Sequence, residues 1–565
     1  MSRFFATKKG VMTGFFGIAC LFIAYLPTFN APFVWDDEVM VVGNPLITSP
    51  SHIPQIFEAS AFGHAASAQD FFRPIQTLSY ILDYQLFGLD ATGFHLMSWL
   101  YFALSCALLF CFLRLLTHLY QVQNEPGISN RAVFQLSKYA CLVITLLFAV
   151  HPLNIEVVTY ISGRGDVLFL VFALLALCGT LQAAKGHNWA IPLVWISTLL
   201  AIISKENAIA VPFVMGSLWF VLPRCRHTWQ YWTAILPTLV GNLGYIGYRI
   251  MAMGDPSSTP LSPIAFASVY ERILTLPYIL WTYFRLIFFP HPLHMDYLHV
   301  VTDILNPYLW IGMPLFILVF SILWRWLRNP VIYIFLLAWI AFGLGPVLQI
   351  LPLTATVREH WFSFSLIAAL TLIVTCISQR FRNTPKWVSY ACFGLALTTL
   401  MSLTYMRNLD WTDPMRLYSH DVEIEPRSFL LHNNLGVLHY RNQNFSAAKE
   451  AFQKSVLVTP GNNGYGTALN NLGVIAEHEN NRLLALDYYR RSIMASHYEL
   501  AYANALRLLL MDKQWATALP LVQEALQQYP YHHDILRYAA ITYAQMGYNY
   551  ESESILKRLK QLYPE

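Results

Sequence analysis

Apolar runs long enough to cross a bilayer, or nearly so, recur through the first four hundred positions, at about 11–29, 93–116, 138–153, 166–183, 189–203, 206–222, 231–250, 270–290, 308–325, 331–349, 360–378 and 386–405. A hydrocarbon layer about 30 Å thick needs roughly 20 helical residues, so these twelve runs read as helices lying in or against lipid. The first is longer than a signal-peptide core and ends at Pro27-Thr28-Phe29-Asn30 without a small-residue cleavage site, so it reads as an anchor. Near residue 406 the pattern changes to polar residues mixed with helical periodicity. Leu435-Gly436, Ala448, Phe452 and Pro460 fall at positions seven, eight, twenty, twenty-four and thirty-two of a tetratricopeptide unit. Leu472-Gly473, Ala485 and Tyr489 repeat the pattern, then Leu506, Ala518, Ala525 and Pro530, then Ala540, Leu556 and Pro564. Four units follow, the second stretched by Gly461-Asn462-Asn463-Gly464. Small residues at positions eight and twenty let paired helices approach, aromatics fill the groove between neighbours, and the stack buries one continuous core.

The expected fold is all-α: a polytopic helical membrane domain over 1–405 with a first outer loop at 30–92, a linker over 406–428, and a tetratricopeptide solenoid over 429–565. Orientation follows from the basic residues. With a cytoplasmic N-terminus carrying Arg3, Lys8 and Lys9, and with 270–290 lying at the outer interface, the cytoplasmic side also holds Arg114, Arg131, Lys138, Lys185, Arg224, Arg226, Arg325, Arg328, Arg380, Arg382 and Lys386. The outer side then holds Arg73, Arg164, Lys205, Arg249, Arg272, Arg285 and Arg358 before the tail. Eleven crossings keep this bias and a twelfth through 270–290 would erase it, so the expectation is eleven, with the repeats outside.

Composition agrees with a chain that has two solvents: of 565 residues, 56% are hydrophobic, 15% aromatic and 12% charged. The net charge of +4 is too small and dispersed for a nucleic-acid partner. The eight cysteines lie mostly inside apolar runs without metal-ligand spacing and read as small core residues.

Chemistry gathers on the outer side. FVWDDEVMVVGNPLI puts Asp36, Asp37 and Glu38 just past the first membrane helix, where three adjacent acids are costly unless used. Around them stand Arg73 in FFRPIQ, His95 in GFHL, His151 and Glu156 in HPLNIEVVTYI, Arg164 and Asp166 in SGRGD, Lys205 and Glu206 in SKENA, and Arg358, Glu359 and His360 in VREHWF. Carboxylates facing cations at a membrane surface suit a lipid-linked phosphate substrate together with a general base. His95 reads as a helix-end packing residue. Asp166 could ligate a divalent cation, magnesium or manganese, or pair with Arg164.

WDDEVMVVGNP, FFRPIQTLSYILDYQLFG, GFHLMSW, HPLNIEVVTYISGRGDVL, SKENAIAVP and VREHWFSFSL, in this order and ahead of the repeats, resemble the transmembrane and tetratricopeptide-repeat-containing O-mannosyltransferases and their prokaryotic relatives. That family belongs to the GT-C class of glycosyltransferases, which depend on polyprenol-phosphate sugars. Where it reads Glu-Arg, an aromatic and Pro-Ser, this chain has Arg358-Glu359-His360-Trp361-Phe362-Ser363. The resemblance implies inverting transfer of a sugar, mannose-like or another hexose, from a polyprenyl-phosphate carrier to a hydroxyl on the extracytoplasmic side. Asp36 is the first choice of base and Asp37 the second. Arg358, Lys205 and Arg164, in that order, are the candidates for the lipid phosphate, with Glu38, His151, Glu156, His360 and Arg73 completing the substrate shell. The partners implied are the lipid-borne donor, a protein acceptor on the repeats and the bilayer. The location implied is a prokaryotic plasma or inner membrane, or the endoplasmic reticulum in a eukaryotic host. Two other readings stand beside it: a GT-C enzyme glycosylating a lipid or cell-envelope glycan, and a non-catalytic scaffold that recruits partners through its repeats.

Overall fold

The computed structural model describes residues 8–57, 72–123, 137–222, 225, 227–253, 262–326, 330–459 and 465–563. Pro460, Gly461 to Gly464 and Pro564, all assigned to the repeats from sequence, lie outside these residues, as do Arg3, Arg131, Arg224, Arg226 and Arg328 of the charge count. Among the described residues there is no strand, only an isolated bridge between Tyr297 and Val357. The protein is all-α, and it divides into two compact units, one holding 8–57 and 72–414 and the other 415–563.

The helices of eight residues or more in the first unit are α1 (Lys8–Ala24), α2 (Pro74–Phe87), α3 (Ala91–Gln123), α4 (Lys138–Ala149), α5 (Arg164–Ala183), α6 (Ala190–Ile202), α7 (Ala210–Val221), α8 (Trp229–Met253), α9 (Val269–Phe288), α10 (Met313–Trp326), α11 (Pro330–Leu344), α12 (Ser363–Arg380) and α13 (Lys386–Trp411). Its axis is α5, which packs on α3 and α6 and has 83% of its apolar window buried. By contrast α10 and α13 bury only 6% and 11% of theirs, leaving Ile317, Leu318 and Leu395 exposed. Apolar surface on that scale calls for lipid, where a helix satisfies its own backbone.

Among the described residues, six helical stretches are long and apolar enough to cross a bilayer: Ala91–Gln121, Ile161–Ala183, Tyr308–Trp326, Pro330–Val347, Glu359–Arg380 and Lys386–Trp411. A seventh results if Lys138–Ala149 and Pro152–Val158, bent by 58° at their break, form one span. Gly14–Ala24, Ala190–Ile202 and Glu206–Val221 are apolar but shorter. The eleven crossings counted from hydropathy therefore do not correspond to eleven helices of spanning length, and Val269–Phe288 is not among the six. The physical reason is that a run of apolar residues does not reveal its breaks. At His151-Pro152 the histidine side chain accepts the amide of Leu153 and starts a new turn. At Ser204-Lys205 the chain leaves α6 for a 3-10 turn over Glu206–Ile209.

The second unit begins within α14 (Pro414–Ile424). The end of α13 together with α14 makes most of 406–428 helical where the sequence suggested a linker. Four helix pairs follow: α15 (Phe429–Arg441) with α16 (Phe445–Val458), α17 (Gly466–His478) with α18 (Arg482–Ser496), α19 (Glu499–Met511) with α20 (Trp515–Gln528), and α21 (His533–Gln545) with α22 (Asn549–Leu562). Their packing explains the small residues at position eight. A Cβ on Gly436 would lie 2.6 Å from the Phe452 ring, and one on Gly473 2.4 Å from the Tyr489 ring. Ala485, Leu506, Ala518 and Ala525 are buried in the shared core, as the repeat pattern requires.

Candidate active site

The site starts in the turn after α1. Trp35 takes a left-handed backbone, φ 55°, which a bulky residue adopts only where its surroundings hold it there. Two adjacent acids then diverge. Asp37 is fully buried; one oxygen accepts from the Val34 amide at 3.1 Å, the other from the Ser162 amide at 2.7 Å and the Ser162 hydroxyl at 2.5 Å. It clamps the loop to the turn before α5, and burial pushes its pKa up to about 7 against those three hydrogen bonds. Asp36 is exposed and accepts the Tyr160 hydroxyl at 2.7 Å. Desolvation by the surrounding protein raises its pKa above the usual carboxylate value, opposed by that hydrogen bond and by the charges of Arg358 and Arg73. Glu38 opens the π-helical turn over Glu38–Val42 and is half-buried. Val41, Ile47, Tyr80, Phe94 and Ile161 pack beneath this loop and hold it in register.

Arg358 comes from the loop before α12. Its guanidinium meets Asp296 at 3.2 Å, donates to the Met295 carbonyl, and lies over the Trp35 ring at 5.7 Å. Burial works against its charge, but Asp296, Glu156, Tyr160 and Asp36 together raise its pKa above the ordinary arginine value. The neighbouring Glu359 is held by the segment before α10: its carboxylate accepts from the His294 amide at 3.0 Å and the Tyr297 hydroxyl at 2.8 Å. The Tyr283 hydroxyl of α9 donates to the Arg358 carbonyl at 3.0 Å.

A row of paired charges continues along the same unit. His360 Nδ1 meets Glu156 at 2.6 Å while its Nε2 lies 3.9 Å from Asp166. Lys205 Nζ donates to Asp166 at 3.0 Å. Arg73, the residue before α2, holds Glu206 through Nε and Nη2 at 3.3 and 3.0 Å. Burial lowers the pKa of Lys205, as does the charge of Arg73, while Asp166 and Glu206 oppose the shift. The chain can approach this closely because residue 165 is glycine: a Cβ there would stand 2.6 Å from the Gln76 side chain and 2.8 Å from the Ser204 carbonyl.

Asp36, Arg358, Glu156, His360, Asp166, Lys205 and Arg73 are thus brought together, and three other expectations are corrected. Arg164 is fully buried and spent: it pairs with Asp83, donates to Ser98 at 3.1 Å and to the Phe94 carbonyl at 2.7 Å, and lies over the Tyr80 ring. A guanidinium so enclosed has no face left for a lipid phosphate. His151 is buried as a cap, its Nε2 meeting the Ile287 carbonyl at 3.2 Å, and does not line the cluster. Asp166 pairs with Lys205 instead of Arg164. With an ammonium against it, Asp166 is a poor ligand for magnesium or manganese, and among the described residues no group of three or more His, Cys, Asp or Glu could hold an ion. His95 packs at its helix end, its Nε2 meeting the Ala31 carbonyl at 3.0 Å. Sequence reasoning did not find Tyr160, Asp296 or Asp83. Each lies far along the chain from its partner, and only the DY of HMDY or the TY of VVTY, without periodic context, stood there as a signal.

No family model matches the chain. Curated relatives do: a protein O-mannosyl-transferase of Caenorhabditis elegans is 24% identical over 474 residues, covering 80% of this chain and 64% of that protein. Protein O-mannosyl-transferase Tmtc3 of Drosophila melanogaster is 25% identical over 509 residues, 78% of this chain and 54% of that protein, and TMTC3 of Mus musculus is 23% identical over 478, covering 76% and 49%. The chain spans about half the length of the curated relatives it matches. The resemblance read from the motifs, to transmembrane and tetratricopeptide-repeat O-mannosyltransferases, is therefore met across most of the chain. Among solved structures, MamA is 17% identical over 26% of this chain and 80% of its own, with a TM-score of 0.23. YrrB, a TPR protein with an unusual peptide-binding site, is 19% identical over 31% and 86%, with a TM-score of 0.22.

Proposed function

We propose that this chain is a membrane glycosyltransferase that moves a hexose, mannose or a close analogue, from a polyprenyl-phosphate carrier to serine or threonine hydroxyls of extracytoplasmic proteins with inversion. The observation that carries the reading is the division of labour between two adjacent acids, Asp36 open to solvent beside Tyr160 and Arg358, Asp37 buried as the loop's clamp. A hydroxyl is a weak nucleophile, so a carboxylate takes its proton as it attacks. In the proposed step the acceptor oxygen bonds to the anomeric carbon from the face opposite the phosphate. Asp36 takes the hydroxyl proton, and the bond from carbon to phosphate oxygen breaks with its electron pair on the departing lipid phosphate. Arg358, backed by Asp296 and Trp35, offers positive charge where that anion grows. Lys205 and Arg73 add to the local field, each already balanced by a carboxylate.

An open apolar groove, lined by Leu280, Tyr283, Phe284, Phe316, Ile340 and Phe362 among others, supports a lipid-borne donor. It reaches Tyr283 and Phe362, whose rings stack at 4.8 Å immediately beside the Arg358 backbone. A prenyl chain along that groove would run toward the loop that carries Arg358. The repeats favour a protein acceptor over a glycolipid, and the open carboxylate favours an enzyme over a scaffold. The test supplies purified chain with a polyprenyl-phosphate mannose and a serine- and threonine-containing peptide, then reads peptide mass and anomeric configuration. Transfer that Asp36→Asn abolishes supports the proposal. Sugar appearing only on lipid, or no Asp36-dependent product at all, overturns it.

A further inference from the structure

α13 is coded differently at its two ends. Up to residue 403 it buries Leu397 alone and is otherwise exposed or half-buried, whereas Thr404, Arg407, Asn408, Asp410 and Trp411 are all buried. Buried polar groups on a helix of this kind are costly unless paired, and two of them pair with the chain that leads into the site. The Thr404 hydroxyl donates to the Val150 carbonyl at 2.7 Å. Asn408 donates to the Ala24 carbonyl at the end of α1 at 3.1 Å and accepts the Thr159 hydroxyl at 2.7 Å. With its own proton committed, Thr159 accepts from the Thr28 hydroxyl at 2.9 Å. One asparagine thus ties together α1, the turn after it and residue 159. Trp411 is fully buried and sets its ring 5.8 Å from that of Tyr160, and its indole N–H has no hydrogen-bond partner among the described residues. What Trp411 contributes there is shape.

We propose that the C-terminal end of α13 positions the Tyr160 hydroxyl, and through it the Asp36 carboxylate, with Asn408 and Trp411 as positioning residues for the transfer reaction. The turn from Thr159 to Ser162 faces three ways. Thr159 is held by α13, Tyr160 donates to Asp36 at 2.7 Å, and Ser162 holds Asp37. Asp36 lacks the triple clamp of its neighbour: it is exposed, and the Tyr160 hydroxyl is the one donor its carboxylate meets among the described residues. That hydroxyl stands at the far end of the ring, so a swing of ~10° at Cβ carries it about 1 Å, a misplacement that can cost on the order of a hundredfold in rate. Tyr160 is half-buried, so enclosure does not fix its ring, and Trp411 is the ring packed on it. Apolar residues of the same volume would anchor the helix end as well. Asn408, with one donor and one acceptor used in fixed directions, also sets the helix's rotation against Thr159.

Because the arrangement acts through the base of the proposed function, it rests on that reading, and the pH profile of single-turnover transfer by the full chain in detergent tests it. Asp36 is faced by the Tyr160 hydroxyl and by Arg358 and Arg73, all of which favour its ionised form against desolvation, and by Asp37, whose pKa the Asp36 charge raises in turn. Losing a hydrogen bond to the charged form raises a carboxylate pKa, so in Tyr160→Phe the limb along which transfer rises with pH should move up by about half to one pH unit. Trp411→Ala and Asn408→Ala should move it in the same direction. Trp411→Phe keeps a ring against Tyr160 and should recover most of the shift, and Tyr160→Phe/Trp411→Ala should sit where Tyr160→Phe sits. Leu397→Ala controls for a merely structural role: buried on the same helix about 21 Å from Trp411, it should lower the unfolding temperature and leave the limb in place. Tyr160→Phe preserves the ring and its packing, so it decides the matter even if Trp411→Ala does not fold. An unmoved limb in Tyr160→Phe overturns the inference, as does a limb that Leu397→Ala moves as far as Trp411→Ala, or additive shifts in the double variant. Wild-type turnover of Asp36→Asn would overturn the base itself, whereas abolished transfer in Asp36→Asn with an unmoved limb in Tyr160→Phe would remove only this brace.

Discussion

Replacing each member of the acidic pair by asparagine should separate chemistry from structure. Asp36→Asn keeps an oxygen for the Tyr160 hydroxyl and alters an exposed side chain, so stability should change by no more than about 0.5 kcal/mol. What it removes is the proton acceptor, and loss of a positioned general base lowers turnover about 10²- to 10⁴-fold, roughly 3–5 kcal/mol of barrier. Asp37→Asn is the reverse case. Both oxygens of Asp37 accept hydrogen bonds, from Val34 on one side and twice from Ser162 on the other. An amide must turn its NH₂ toward one of these donors, leaving a buried N–H unpaired at about 1–3 kcal/mol. The folded fraction of Asp37→Asn should still transfer sugar within about tenfold of wild type. The assay is single-turnover transfer from polyprenyl-phosphate mannose to a peptide, normalised to folded protein, with thermal unfolding followed by tryptophan fluorescence in the same detergent. Wild-type turnover of Asp36→Asn would refute the assignment. An equal loss of turnover in both variants at unchanged unfolding temperature would refute the argument that exposure decides which acid reacts.

The other predictions use the same two readouts. Arg358→Ala should lower turnover by roughly 2–4 kcal/mol, on the order of a hundredfold, the scale of one preorganised charge contact, and a wild-type rate limited by chemistry would remove it from the site. Because the Asp36 pKa is raised and the base must be ionised, activity should rise with pH through a limb above the ordinary aspartate value. Arg358 and Arg73 oppose that rise, so Arg358→Ala should move the limb to higher pH, and a downward move would contradict the charge arrangement. Lys205→Met leaves Asp166 buried without its ammonium, with only the more distant His360 and the Arg73 charge to offset it, and should destabilise the unit by about 3–5 kcal/mol, most of which Lys205→Met/Asp166→Asn should restore on thermal unfolding. Deleting 429–565 should depress transfer to a folded protein acceptor far more than transfer to a short peptide at high concentration, because it removes the raised local acceptor concentration, and equal effects on both would deny the repeats that role.

Legibility differed between the two units for a physical reason. In the repeats each unit packs on the units next to it in sequence, so the periodic Gly436, Ala448, Phe452 and Tyr489 announce their contacts. In the apolar unit, partners lie far apart along the chain: Arg164 finds Asp83 81 residues away and Tyr160 finds Asp36 124 residues away. Arg164 and Arg358 look alike as sequence, each an arginine at the mouth of an apolar run. Only the fold shows that one is walled in by Tyr80, Phe94 and Ser98 while the other faces Trp35 and Asp296. Hydropathy counted residues per run and missed the breaks at His151-Pro152 and Ser204, where apolar runs are divided into shorter helices.

The balance of charge within the cluster argues for a site and not merely for a stable core. Burying an ion pair often returns no more than its desolvation cost, yet this unit places Arg73 with Glu206, Lys205 with Asp166, Arg358 with Asp296 and His360 with Glu156 in one continuous row. Apolar residues of equal volume would hold those helix ends together as well. What they could not do is fix a guanidinium beside an exposed carboxylate without letting the two collapse into a pair of their own. Asp296 holds Arg358 from one side while Tyr160 holds Asp36 from another, so each of the two proposed reactive charges has a partner of its own. Charges kept from neutralising each other suit a reaction in which one must accept a proton as the other receives a leaving anion.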